Sequence, residues 1–299
     1  MTAFDTFLIV DWSGGNDRGS APKPDAIWVC VARNGVAEDP IYLRNRLVAE
    51  DWLGRFFETE LHAGRSVFAG FDFPFGYPAG FCEKVTAQSD PLILWDWLEA
   101  RIEDAPETNN RFDVAAEVNR MFDGIGPFWG NGLKRDIANL PRKGRLRTAT
   151  PFPEKRMAEQ QAKGAFTLWQ LSGVGSVGSQ ALMGLPVLSR LRKRFAPQVS
   201  VWPFETLAAP IAFVEIWPSL SVGRAPDHWI KDAWQVFDLA RRLSAIAPDV
   251  LQRILDVPRQ SEGWIFGLGH EAALRYDMAT DLPVPAGSSL APRDRKDAQ

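Results

Sequence analysis

The stretch Phe7-Leu8-Ile9-Val10-Asp11-Trp12-Ser13-Gly14-Gly15 decides how the rest of the chain is read. Four consecutive apolar residues, two of them β-branched, predict a strand buried on both faces. A carboxylate closes the strand and a Ser-Gly-Gly turn follows. An acid at the end of a buried strand is costly unless something pairs with it. The pattern returns at Ser66-Val67-Phe68-Ala69-Gly70-Phe71-Asp72-Phe73-Pro74. Two such strands, parallel and side by side, would build a carboxylate cluster at one end of a sheet.

Outward from this pair, Ala26 to Arg33 reads as a second strand closed by an Asn34-Gly35 turn. Pro40 to Leu47 alternates and reads as a third, which makes an antiparallel meander. Trp52, Leu53, Phe56, Phe57 and Leu61 predict a helix over Glu50 to His62. Strand, helix, strand needs a crossover, so the strand of Asp72 should be parallel to its neighbour. Phe73 to Phe81 is an aromatic Pro/Gly loop suited to wall a cleft.

From Asp90 the texture changes. Asp90-Pro91 opens a helix to about Ile102 by cap and first-turn rules, and a second is expected over Arg111 to Phe122. A Gly-rich, basic stretch follows. Between Leu133 and Lys163, Lys134, Arg135, Arg142, Lys143, Arg145, Arg147, Lys155, Arg156 and Lys163 face only Asp136, Glu154 and Glu159. Such a segment is either a solvated loop or a surface that meets phosphate. Val199 to Phe204 and Ile211 to Trp217 read as strands, the second carrying Glu215 inside an apolar run. Asp227 is the expected cap of a helix over His228 to Ile246, with Asp232 in its first turns. A short helix at Pro248 to Asp256, a strand or loop at Ser261 to Leu268, and a disordered tail from about Leu282 complete the chain. This gives an α/β core at 1–88 and 197–247, a helical and basic insertion at 89–196, and a C-terminal extension at 248–299.

The 299 residues, 45% hydrophobic, suffice for one large domain or two. A formal charge of −3 excludes a globally basic nucleic-acid binder but allows a local basic groove. Cys30 and Cys82 make no disulfide framework and read as small buried hydrophobes. Met1 to Asp5 lacks the basic start and long apolar run of a signal peptide, and no window approaches the ~18 apolar residues of a spanning helix. A cytoplasmic protein is expected. Twelve tryptophans suit a core and also stacking on bases. His62, His228 and His270 show no zinc-ligand spacing, and Ser13 has no evident histidine partner, which argues against a serine hydrolase.

Asp11, Asp72, Glu215 and Asp232 are the candidate catalytic residues. Clustered carboxylates hold Mg²⁺ for two-metal hydrolysis of phosphodiesters, and several buried like charges are unfavourable without a cation. Asp11, Asp72 and Asp232 would be ligands of Mg²⁺ or Mn²⁺, and Glu215 a ligand or general base.

Meander, helix, parallel strand, helical insertion, strand, then an acid-bearing helix is the order of the ribonuclease H-like fold. The motifs Val10-Asp11-Trp12-Ser13-Gly14, Gly70-Phe71-Asp72-Phe73-Pro74-Phe75-Gly76, Val214-Glu215-Ile216-Trp217-Pro218 and Lys231-Asp232-Ala233 resemble those of the family known as domain of unknown function 429. The resemblance covers roughly residues 5–245, the insertion matching poorly. It implies an RNase H-like mixed sheet and a Mg²⁺-dependent, nuclease-like hydrolase of nucleic acid or a nucleotide-like substrate. Some relatives carry a label for molybdopterin–guanine dinucleotide synthesis. The family's last helix often shows Asp-x-x-Asp-Ala; here Gln235 stands in place of the second acid, which favours a catalytically silent binding or scaffold module.

Two further readings compete. In actin-like and sugar-kinase ATPases of related fold a first hairpin binds phosphate, and Asp11-Trp12-Ser13-Gly14-Gly15 resembles it, with Ser13, Gly14 and Gly15 as the phosphate-binding residues. Gly173-Val174-Gly175-Ser176-Val177-Gly178 matches the dinucleotide fingerprint, with Ala165 to Leu171 as the strand before it and Glu205 near the acid position. Pro186 is expected to interrupt the helix that this motif requires.

Overall fold

A computed structural model of the chain describes residues 4–258 and 260–274. The tail expected from about Leu282 lies outside the described residues. The strands and helices follow the chain as β1 (Thr6–Asp11), β2 (Ile27–Arg33), β3 (Val36–Ala37), β4 (Ile41–Leu43), α1 (Arg46–His62) and β5 (Val67–Phe71). The middle of the chain adds α2 (Phe81–Thr86), α3 (Pro91–Glu99), a hairpin of β6 (Asp104–Ala105) and β7 (Thr108–Asn109), α4 (Arg111–Asn119), α5 (Met157–Gln161) and α6 (Val177–Arg194). It ends with β8 (Val199–Trp202), β9 (Ile211–Glu215), α7 (Lys231–Ser244), α8 (Pro248–Leu255) and α9 (Glu271–Leu274).

One mixed sheet runs β3-β2-β1-β5-β9-β8, with β4 also paired to β2. β2 is antiparallel to β1, while β5, β9 and β8 run parallel to it in succession. The parallel strands lie under helices on both sides, so each alternate residue enters a different core. Leu8, Val10, Ala69, Phe71 and Phe213 pack beneath α1, α3 and α6. Ile9, Phe68, Ala212 and Val214 pack beneath α7 and α8. Among the described residues no helix is long and apolar enough to cross a membrane.

Several local expectations are corrected. The stretch 40–47 is not one strand: β4 stops at Leu43, and Asn45 caps α1 by accepting from the Val48 amide at 2.9 Å. The helix therefore starts before Glu50. Asp227 is not a cap either. It pairs with Arg224 at the surface, and α7 begins at Lys231 after an extended Ile230. Pro186 sits inside α6 without ending it. Buried Leu182, Leu185, Leu188 and Leu191 hold that helix on the core and offset the proline's cost of about 3 kcal/mol. Residues 165–171 are irregular apart from a bridge of Gln170 to Trp129, and of the strand or loop expected at 261–268 the structure has the loop, built of turns. The helix expected to reach Phe122 ends at Asn119.

α6 also presses on the strand end that carries Asp72. A Cβ on Gly184 would lie 2.4 Å from Cζ of the buried Phe73 ring. Gly-to-Ala inside a helix ordinarily stabilises by up to about 1 kcal/mol. Gly184→Ala should instead destabilise by roughly 1–3 kcal/mol, the cost of overpacking. A lower urea midpoint at unchanged slope would show it; a raised midpoint would mean that Phe73 is free to move.

Candidate functional site

Asp11 ends β1 and Asp72 follows β5. Val10 lies beside Phe71 in the parallel register, so the two acids occupy neighbouring strand ends. The pleat sends both to the face opposite Val10 and Phe71, the side covered by α7. The Trp12 amide donates to Asp72 Oδ1 at 2.6 Å, and the Asp72 amide donates to the Val10 carbonyl at 3.2 Å. The two carboxyl groups lie close enough to share a hydrogen bond. Two carboxylates can share such a bond only if one holds a proton.

Asp232 lies in the first turn of α7, where a negative charge suits the helix dipole. Its Oδ2 accepts the Asp25 amide at 2.7 Å. Asp25 belongs to the β1–β2 loop and takes a left-handed φ of 54°. It adds a fourth carboxylate near Asp232, and the sequence reading missed it. A Pro24-Asp25 pair signals only a turn, so no sequence feature marked it as part of the site.

The electrostatics follow from this crowding. Burial first, then the charges of Asp72 and Asp232, push the Asp11 carboxyl well above the usual carboxylate range. Burial also raises Asp72, with Asp232 adding to it, against the Trp12 amide and the bond to Asp11. Burial raises Asp232, helped by the Asp25 charge and opposed by the Asp25 amide, Lys231 and Arg18.

Glu215 does not join this group. It lies level with Phe71 in the β5–β9 register, one row short of Asp72. Alternation therefore turns it to the opposite face, with Phe213. There Arg156, itself fully buried, binds both Glu215 oxygens and also Glu159. The Phe75 amide donates to Glu215 Oε2 at 2.9 Å. This network ties α5 and the loop after Asp72 to the sheet. Removing one partner of such a pair costs roughly 3–5 kcal/mol, because it strands the other charge.

The Ser13-Gly14-Gly15 turn is held from several sides. Ser13 Oγ donates to the Asp25 carbonyl at 3.1 Å and accepts the Gly15 amide at 3.2 Å. Gly14 lies against Ser179 of α6, where a Cβ would come within 2.9 Å of backbone atoms. Gln180 donates to the Trp12 carbonyl at 2.8 Å. Gln235, in place of a second helix acid, donates to Ser219 Oγ at 3.2 Å.

In the basic segment, Arg135 pairs with Asp113, Arg147 with Glu154, and Arg142 with Asp136 and four backbone carbonyls. Lys134, Lys143, Arg145 and Lys163 are exposed. Residues 173–178 form the turn into α6, with Gly173 and Gly175 at φ of 90° and 74°. The residues leading into this turn, 165–171, form no strand, and Glu205 is bound to Arg192 and the Val201 amide. No family model matches the chain, and neither a curated protein nor a solved structure does.

A carboxyl whose pKa is raised by folding keeps a proton that the unfolded chain has released. Without added metal ions, stability should therefore fall as pH rises above ~4, the unfolded Asp value, through the raised folded range. Asp11→Asn keeps a donor toward Asp72 and removes one charge. It should flatten this fall and be no less stable than wild type at neutral pH. Superimposable stability–pH curves for the two proteins would rule out the shared proton.

Proposed function

We propose that this chain is a divalent-cation-dependent phosphodiester hydrolase of ribonuclease H-like fold, acting on nucleic acid or a nucleotide-like substrate. The observation that carries the reading is the Asp11–Asp72 pair at adjacent parallel strand ends, with Asp232 approaching from α7. The order of the sheet supports the fold assignment. An antiparallel β1–β2 pair continues into parallel β5 and β9, and an acid-bearing helix covers the face to which the acids point. The resemblance to the domain of unknown function 429 family rests on the same strand ends.

The donor set suits a hard cation, since it offers carboxylate oxygens and neither imidazole nor thiolate. Among the described residues no three acids converge closely enough to close around an ion as they stand. The shared proton of Asp11 and Asp72 is the charge that a cation would replace. Asp11 and Asp72 would hold Mg²⁺ or Mn²⁺, with Asp232 completing the set. Such an ion supplies activation of water and neutralisation of charge at the phosphate.

The chain's own residues do the positioning. The Trp12 amide fixes Asp72 Oδ1, and the Asp25 amide fixes Asp232. Glu215, locked by Arg156, holds the Phe75 amide and so shapes the loop leaving Asp72. Lys143 and Arg145, exposed on the insertion, are available to a polyanion. Arg142 ties its own loop together, so its loss would report folding rather than binding.

Thermal scans beside a nuclease substrate panel test this reading. Millimolar Mn²⁺ or Mg²⁺ should raise the Tm of wild type by mass action, and that of Asp11→Asn less. Hydrolysis should fall by orders of magnitude in the variant, as one ligand is lost. A metal shift without activity on any substrate would favour the silent module. No shift in either protein would overturn the metal site.

A further inference from the structure

We propose that Arg111 forms an anion site for a phosphoryl group, where the turn at 13–15, the β6–β7 hairpin and the start of α6 meet. Among the described residues, every buried or half-buried arginine has a carboxylate partner except this one. Arg111 is half-buried, and both of its side-chain acceptors are neutral. Nε donates to Ser179 Oγ at 2.9 Å and Nη1 to Asn109 Oδ1 at 2.6 Å. The guanidinium carbon lies 4.4 Å from the Phe112 ring centre. Nη2 takes no acceptor among the described residues and stays open to solvent.

A second guanidinium makes the imbalance sharper. Arg46 is buried and binds Asp104 through Nε and Nη2, both at 2.6 Å. Its Nη1 holds the carbonyls of Ser13 and Gly15. Asp104 is thus bound to Arg46, which leaves Arg111 with no carboxylate bonded to it among the described residues. Burial first, then the Arg46 charge, lowers Arg111 to about 10, with Asp104 opposing.

A purely structural link between Ser179 and Asn109 would not need a charge. A neutral amide makes the same bonds without the penalty of burying an unpaired cation. The arrangement suits an oxyanion that accepts from Nη2 and supplies the missing charge. The end of α6 is not the donor, because the amides of Val177, Gly178 and Ser179 are bound to Gly175, Gln170 and Ser176. Ser179 touches Gly14, and Gln180 binds the Trp12 carbonyl. The anion would therefore lie beside the turn that leaves Asp11, where a substrate's second phosphate could rest. Naming the anion a phosphoryl group rests on the hydrolase reading; the unpaired cation does not.

The test is titration of the whole protein with inorganic phosphate and pyrophosphate, in EDTA and at constant ionic strength. Calorimetry and thermal scans read the binding. Wild type should bind and gain Tm, and Arg111→Gln should weaken binding about tenfold or more, the loss of a charge-assisted contact. Arg111→Lys should keep part of the response. Without anion, Arg111→Gln should be no less stable than wild type, since a charge facing Arg46 is gone. Asp11→Asn should keep the phosphate response, so failure of the metal reading and failure of this site are separable. Indifference of wild type to tens of millimolar phosphate and pyrophosphate would overturn the proposal. So would an Arg111→Gln protein that is destabilised yet binds the anions as wild type does.

Discussion

The parallel register of β1 and β5 is the constraint on which the site depends. Val10 beside Phe71 leaves Asp11 and Asp72 as the next residue of each strand, on one face and within hydrogen-bonding reach. Two carboxylates so placed cannot both be charged in a half-buried setting without help. A proton is the help available to the apo chain, and a cation would serve the same need. The flanking bonds reinforce the arrangement, because the Trp12 amide crosses from β1 to grip Asp72. A slip of one residue between these strands would send one acid to each face and dissolve the pair.

The same pleat divides the four candidate acids into two systems with different physics. Asp11, Asp72 and Asp232 share one face with too little positive charge to balance them. Glu215 lies on the other, where it shares one buried guanidinium with Glu159 and also accepts the Phe75 amide. Among the described residues the first system has no cationic side chain bound to its carboxyl groups and suits a ligand; the second is cross-linked by a bound guanidinium and suits support. The two meet only through the segment 73–75, whose backbone Glu215 holds. Around this end of the sheet, Arg46 fixes the turn after Asp11 from below, and α6 packs on it from the side.

The strand-Asp copies were legible because a run of apolar residues ending in an acid admits few other readings. The meander, the parallel crossover and the cap at Asp90 were legible for similar local reasons, and Asp90 does accept the Leu92 amide. The placement of Glu215 was not legible. A texture repeated from strand to strand suggests that the acids share one row, yet β9 pairs one row lower, with Glu215 beside Phe71. Register is set by long-range packing, which leaves no local mark. Asp25 and Arg111 were invisible for the same reason, since each matters through what lies opposite it. Pro186 misled because a local penalty was weighed without the buried leucines of α6 that outweigh it.

On the proposed reading, Asp11 and Asp72 hold a single proton between them that a divalent cation would displace. Carbon-detected NMR of the aspartate carboxyl groups, across pH and with or without Mg²⁺, tests it directly. In EDTA one titration well above ~4 should belong to the pair, and Mg²⁺ should abolish it by shifting both carboxyls to their ionised signals. Ordinary titration of both groups near ~4, unchanged by Mg²⁺, would contradict the account.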